Sequence, residues 1–116
     1  MGTGIDCQPI NNRNEESEMK KEDLVVVATV VARSGSEDVL REALKELVPY
    51  AKTEPGFIQY DLHESTETPG QFVFYEIWED EAALEAHSNT EFAKAFGARA
   101  GQWIESVSLS KFRKIA

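Results

Sequence analysis

The sequence lacks the cysteines that a disulfide-rich or zinc-stabilised protein requires. Its single cysteine, Cys7, cannot form an internal disulfide, and no Cys/His spacing resembles a zinc site. A chain with so little cysteine is typical of a reducing compartment. We therefore expect a cytoplasmic protein that carries no metal.

Positive charge and long apolar runs are also scarce. Lysine and arginine number 12 against 21 aspartates and glutamates, which gives a formal net charge of -9. The acidic residues are spread along the chain, so no basic stripe is available for nucleic acid or for anionic lipid headgroups. The longest apolar run, residues 24–32, is far shorter than the roughly 20 residues of a membrane-spanning helix. We therefore expect neither nucleic acid nor a membrane as a partner.

Several motifs that define large enzyme classes are absent. The sequence has no Walker loop, no dinucleotide-binding glycine fingerprint, no nucleophile elbow and no calcium-binding loop. Its 116 residues predict one domain with room for a single core and a small-molecule cleft. Residues 1–23 are polar and without apolar periodicity, which predicts a flexible polar leader ahead of a folded domain at residues 24–116.

Apolar periodicity predicts the element order β, α, β, β, α, β. The predicted elements are strands at 24–33, 57–65, 72–79 and 103–112, and helices at 36–51, at 80–87 and from 90 to about 97–101. Ser36, Asp80 and Thr90 are the predicted helix caps, and Pro49 is predicted to kink or shorten the first helix. This order is the split βαβ arrangement of a ferredoxin-like α+β fold.

The first and third strands are apolar on both faces, although the helices of this topology cover only one face of the sheet. An apolar sheet face left bare would favour aggregation. The simplest cover is a second copy of the same chain, packed sheet against sheet. The strand pattern therefore predicts a homodimer.

Three residues are predicted to face the layer between the sheet and the helices. Glu76 and Trp78 share one face of their strand, and His87 lies on the apolar side of the helix that follows. A carboxylate or imidazole in such a layer would have a perturbed pKa and could act as a base near neutral pH. The alternatives are a structural histidine, a paired buried carboxylate and a tryptophan that only packs the core, and they stay open at this point.

Further residues are candidates for the wall of a substrate pocket. In the strand at 57–65, Ile58, Tyr60 and Leu62 are predicted on one face and His63 on the other. The pocket candidates are Tyr60, His63, Phe74, Phe92 and Phe96. Aromatic side chains line apolar pockets but also pack cores, and His63 could equally face solvent or the dimer seam.

Residues 54–96 carry a family resemblance. A Pro-Gly turn leads into an alternating strand, followed by "EIWED" and by a helix that ends "EAH". This stretch resembles the antibiotic biosynthesis monooxygenase family, and most closely its small quinol monooxygenase-like members. The resemblance implies a dimeric α+β barrel that oxidises a quinol, phenol or anthrone with O2 and uses no metal, flavin or heme. It also implies that His87 acts as the base or a proton relay, that Glu76 orients or tunes it and that Trp78 forms a pocket wall.

Other branches of this fold imply other functions. A heme-degrading branch depends on an asparagine and a histidine where this chain has Ala28 and Phe96, so heme degradation is disfavoured although Trp78 is kept. Another branch isomerises a small phosphorylated keto compound in autoinducer-2 degradation, and here only Lys94 or Arg99 would be available to bind the phosphate. A non-catalytic ligand-binding or stress-response dimer is the alternative outside the enzymes.

Overall fold

The computed structural model describes residues 23–116, so Cys7 and the predicted leader apart from Asp23 lie outside the described residues. Asp23, which was predicted to belong to the flexible leader, is buried. The strands are β1 (Leu24–Ala32), β2 (Phe57–Glu64), β3 (Gln71–Trp78) and β4 (Ile104–Arg113). The helices are α1 (Glu37–Lys45), α2 (Leu47–Ala51), α3 (Glu81–Ser88) and α4 (Glu91–Ala100), and a 3₁₀ turn (Gly101–Trp103) leads into β4. The predicted element order is confirmed. The predicted helix at 36–51 is divided into α1 and α2, and the two helices predicted after β3 are α3 and α4.

The four strands form one sheet in the spatial order β2, β3, β1, β4, and every neighbouring pair is antiparallel. The two strands predicted to be apolar on both faces, β1 and β3, lie side by side in the centre. This arrangement is the ferredoxin-like α+β fold predicted from the sequence. No helix within residues 23–116 combines the length and apolar character needed to cross a membrane. The predicted cytoplasmic location stays a prediction.

The helix boundaries follow from local chemistry. Asp80 and Thr90 cap α3 and α4, because their side-chain oxygens accept the backbone N–H groups of Ala83 and Ala93 at 2.9 and 3.0 Å. Ser36 occupies the N-cap position of α1, but its side chain makes no capping hydrogen bond, so the predicted cap is wrong in its chemistry. The helical region ahead of β2 is interrupted at Glu46, as expected of a segment containing Pro49.

One face of the sheet, here called the inner face, packs against the helices. Val26, Ala28 and Val30 of β1 point to this face with Phe72, Phe74 and Trp78 of β3, and all six side chains are buried. Leu40 and Leu44 of α1 and Leu84 of α3 close the core from the other side. Each large side chain buried here contributes roughly 1.5 to 3 kcal/mol to folding.

The start of β2 differs from the predicted alternation. Phe57 pairs with Trp78 and Gln59 pairs with Ile77, so Ile58 is an extra residue without a partner in the ladder. Because of this β-bulge, Phe57 takes the inner-face position that the alternation predicted for Ile58, and its ring meets Trp78 edge to face at 6.4 Å. Tyr60 and Leu62 keep their predicted face.

The opposite face of the sheet, here called the outer face, is also apolar. Its central positions are Val25, Val27, Thr29, Val31, Val73, Tyr75 and Ile77, of which Val25 and Ile77 are buried and the others are partly exposed. On the edge strand β4, Phe112 pairs with Val25 and is 53% exposed. The two-faced apolar character predicted for the central strands is therefore present in the structure.

Candidate active site

His87 lies in the last turn of α3, on the side of the helix that faces the sheet. Leu84, one turn earlier, is buried in the core and holds that side of the helix inward. The His87 side chain is 16% exposed, so one edge of the imidazole reaches the surface while the rest is enclosed. The predicted orientation of His87 towards the interior is thus present.

A carboxylate absent from the predicted site contacts His87. Oε1 of Glu54 lies 2.5 Å from Nδ1 of His87, and the Glu54 side chain is only 8% exposed. The second oxygen, Oε2, is buried and has no hydrogen-bond partner among residues 23–116. His87 and Glu54 are separated by 33 positions in the sequence, so no short motif contains both.

The two predicted residues of β3 form a second hydrogen-bonded pair beside His87. The indole N–H of Trp78 donates to Oε1 of Glu76 at 2.9 Å, and both side chains are buried. Burial raises the pKa of Glu76 above its usual value, and the Glu54 carboxylate adds to this. The Trp78 hydrogen bond and His87 oppose the rise by stabilising the charged form.

Aromatic rings enclose the imidazole. The ring centroid of Trp78 lies 4.7 Å from that of His87 with 36° between the planes, and Tyr60 meets His87 at 5.5 Å in an edge-on arrangement. Tyr60 is buried, and burial together with Glu76 and Glu54 raises the pKa of its hydroxyl above the usual range. Phe74 lies behind Tyr60, with 5.1 Å between ring centroids. The imidazole therefore packs against two aromatic rings in addition to its contact with the Glu54 carboxylate.

The other predicted pocket residues lie at different places. Phe92 stacks on Tyr50 with 3.9 Å between centroids, and together with Phe96, Ala95 and Arg99 it lines a surface hollow of about 200 Å³. His63 is exposed on the outer face, where it pairs with Val73. The structure thus brings together His87, Glu76, Trp78, Tyr60 and Phe74, and it does not bring His63 to this group.

The hydrogen bonding of the imidazole is compatible with proton transfer. Within the described part of the chain, no group of three or more His, Cys, Asp or Glu side chains is placed to hold a metal ion. The hydrogen bond that the structure gives the His87 ring is at Nδ1, to the carboxylate of Glu54. A neutral imidazole with one nitrogen held in this way can accept a proton on the other.

The fold and this histidine centre define an α+β ferredoxin-like protein whose candidate site is an imidazole supported by carboxylates. The sequence profile described as "Antibiotic biosynthesis monooxygenase" matches residues 23–99, which is most of the chain. The protein therefore belongs to the antibiotic biosynthesis monooxygenase family, and the resemblance predicted from residues 54–96 is confirmed.

Individual relatives agree with this assignment. The Bacillus subtilis protein named "Putative monooxygenase YcnE" is 38% identical over 77 residues, which cover 66% of this chain and 79% of that protein. The crystal structure of PA3566 from Pseudomonas aeruginosa is similar with a TM-score of 0.78 and 33% identity over 82% of this chain and 96% of its own. Protein SO0527 from Shewanella oneidensis has a TM-score of 0.77 and 26% identity, with coverages of 84% and 96%. The family and its named members support a monooxygenase-like function in general.

Proposed function

We propose that this protein is a homodimeric monooxygenase that oxidises a small quinol, phenol or anthrone with O2 and needs no cofactor. The observation that carries the proposal is the surroundings of His87. One nitrogen of the imidazole contacts the carboxylate of Glu54, and the rings of Trp78 and Tyr60 pack against it. A base in such an apolar setting is suited to removing a hydroxyl proton from an aromatic substrate.

Proton removal would start the reaction. His87 takes the hydroxyl proton, and the resulting anion is rich enough in electrons to reduce O2 directly. One oxygen atom then enters the ring system and the other leaves as water, so the substrate supplies all four electrons and no external reductant is consumed. Trp78 and Tyr60 would keep water away from the intermediates, and Glu76 would hold the indole through its hydrogen bond.

The charges around His87 favour a neutral hydroxylated substrate over a phosphorylated one. The carboxylate of Glu54 contacts the imidazole, and an anionic phosphate beside it would be repelled. Of the two cations considered for a phosphate, Arg99 already pairs with Glu46 at 2.7 Å and Lys94 is exposed. These contacts support the monooxygenase over the isomerase.

The non-catalytic binding module also has less support. A histidine with a purely structural role would be expected to hydrogen-bond a backbone carbonyl, whereas the Nδ1 partner of His87 is a carboxylate. Carboxylate–histidine pairs recur where an imidazole must accept and return protons. The binding module predicts no turnover, and the oxygen measurement below tests that.

The proposal of a homodimer is based on the apolar outer face of the sheet. Its central positions include Val27, Val73 and Tyr75, which stay partly exposed in the described residues, and Phe112 extends the apolar surface onto the edge strand. A second copy would bury them. Val73→Glu should convert the dimer to a monomer in size-exclusion chromatography with light scattering, whereas a charge added at the exposed Thr68 should not. A wild-type monomer at micromolar concentration would contradict the proposal.

Oxygen uptake tests the proposed activity. Purified, metal-free protein is supplied with a panel of hydroquinones and anthrones, and consumption is compared with uncatalysed autoxidation. We expect His87→Ala to lower the catalysed rate by about 10² to 10⁴-fold, with partial recovery when imidazole is added. His63→Ala is the matched histidine control, and we expect it to keep activity because its side chain lies on the face of the sheet opposite to His87, provided that the variant is still a dimer. Equal activity in His87→Ala and wild type would contradict a role for His87.

A further inference from the structure

We propose that Glu54 is a positioning residue that fixes the tautomer of His87, with the proton on Nδ1 and Nε2 left as the reactive nitrogen. This inference deepens the proposed function and rests on it for its catalytic consequence. The contact between Oε1 of Glu54 and Nδ1 of His87 is short, at 2.5 Å, and both side chains are largely removed from solvent. An ionised carboxylate can only accept hydrogen bonds, so the proton in this contact belongs to Nδ1.

The second carboxylate oxygen of Glu54 makes the contact with His87 more important for this side chain. Oε2 is buried without a hydrogen-bond partner in the described chain, so Nδ1–H of His87 is the one side-chain donor to this carboxylate there. Loss of the single hydrogen-bond donor to a buried carboxylate carries a large cost in free energy, because the charge is then left unpaired away from water. The imidazole is therefore held in one orientation, and its free nitrogen is turned away from the carboxylate.

The backbone explains how a loop residue reaches a helix residue so far along the chain. Glu54 is followed by Pro55 and Gly56, and Gly56 has φ +81°, a conformation that favours glycine. A Cβ at Gly56 would lie 2.5 Å from the Cβ of Ala83, so only glycine allows the turn to approach α3 this closely. Ala83 precedes His87 by four residues, which is about one helical turn on the same side.

Two backbone hydrogen bonds hold this turn in place. The carbonyl of Gly56 accepts the N–H of Glu79 at 2.8 Å, just before α3 begins, and the carbonyl of Glu54 accepts the N–H of Phe57 at 3.2 Å. The turn is thus bonded to the chain at both the start of β2 and the start of α3. These bonds fix the backbone next to Glu54, and a group that orients a catalytic base needs such support.

Nuclear magnetic resonance of the imidazole nitrogens tests the proposal directly. The chain has two histidines, so ¹⁵N-labelled protein gives only two imidazole patterns, and the exposed His63 is an internal reference. In the neutral form of the ring, we expect His87 to show a protonated Nδ1 and an unprotonated Nε2. Glu54→Gln should shift His87 towards the Nε2–H tautomer and leave His63 unchanged.

Kinetics provide the second readout. We expect Glu54→Gln to lower kcat by about 10²-fold or more with a small change in KM, because the substrate still binds but the base is misoriented. Glu42→Gln is the matched control, since Glu42 makes only an exposed ion pair with Lys45 at 3.2 Å. A kcat within twofold of wild type for Glu54→Gln would overturn the positioning role.

The two proposals can fail separately. If no quinol, phenol or anthrone is turned over, the proposed function fails, while the wild-type spectrum still reports the tautomer. A wild-type His87 with its proton on Nε2, or a tautomer that Glu54→Gln leaves unmoved, would overturn the assignment of Glu54. The wild-type spectrum decides the tautomer even if the variant does not fold.

Discussion

The hydrogen bond between Trp78 and Glu76 makes a quantitative prediction for the variant Trp78→Phe. Both side chains are buried, and the indole N–H donates to Oε1 of Glu76 at 2.9 Å. Phenylalanine removes this donor, and leaving a buried acceptor unpaired costs about 1 to 3 kcal/mol. The smaller ring adds a loss of about 1 kcal/mol in buried apolar area. We expect a decrease of about 2 to 4 kcal/mol in the free energy of unfolding.

Urea denaturation at one fixed protein concentration measures this loss, since a dimer's stability depends on concentration. Trp103→Phe is the matched control, because Trp103 is the chain's other tryptophan and is only partly buried. Its ring lies 5.9 Å from the Arg99 guanidinium, and we expect a loss of about 1 kcal/mol or less. A similar loss in both variants would show that the Glu76 hydrogen bond adds nothing.

A double-mutant cycle isolates the hydrogen bond itself. In Glu76→Gln the neutral amide is less costly to leave unpaired than a carboxylate. The double variant Trp78→Phe with Glu76→Gln should therefore lose less stability than the two single changes added together, by about 1 kcal/mol or more. Additivity within about 0.5 kcal/mol would refute the reasoning.

Three further predictions concern the site and its supports. Burial raises the folded-state pKa of Glu76, so the contribution of Glu76 to stability is present below its unfolded pKa and is lost as pH rises through its folded pKa. In urea titrations at several pH values, Glu76→Gln should flatten this decline in stability. An unchanged decline would contradict the prediction. Asp80→Ala should lower the free energy of unfolding by about 1 kcal/mol in thermal unfolding, because it removes a helix cap. Ser36 makes no capping hydrogen bond, so Ser36→Ala should lower it by less than about 0.5 kcal/mol. Equal losses in the two variants would contradict the assignment of the caps. Gly56→Ala should lower the free energy of unfolding by about 2 to 4 kcal/mol, and Gly35→Ala should lower it by about 1 kcal/mol. Both glycines have a positive φ, but only at Gly56 would a Cβ clash with a neighbouring residue. Similar losses in the two variants would argue against the close approach of the turn to α3.

Much of the fold could be predicted because its signals are local. The β-branched run of β1 and the alternation in β3 define strands, and Asp80 and Thr90 mark helix starts by capping chemistry. Two details were predicted wrongly, namely one strand register and one helix cap. Because of the bulge in β2, Phe57 and not Ile58 lies on the inner face. Ser36 occupies the N-cap position of α1, but its side chain makes no capping hydrogen bond.

The candidate site could be predicted only within one segment of the chain. Glu76, Trp78 and His87 belong to consecutive elements, so strand alternation and helix periodicity were sufficient to orient them. Glu54 could not be found in this way, because its contact with His87 depends on how the turn at Gly56 packs against α3. The one signal available was the Glu-Pro-Gly turn, whose glycine indicates a backbone that an ordinary residue cannot adopt.

Incorporation of ¹⁸O from labelled oxygen gas shows whether the protein is a monooxygenase with His87 as its base. With a substrate that the wild-type protein turns over, our account predicts one ¹⁸O atom in the product and the other in water, and loss of this incorporation in His87→Ala. An unlabelled quinone formed together with hydrogen peroxide would contradict the account, because the protein would then be an oxidase and not a monooxygenase. Labelled product formed equally well by His87→Ala would contradict the role of the histidine as the base.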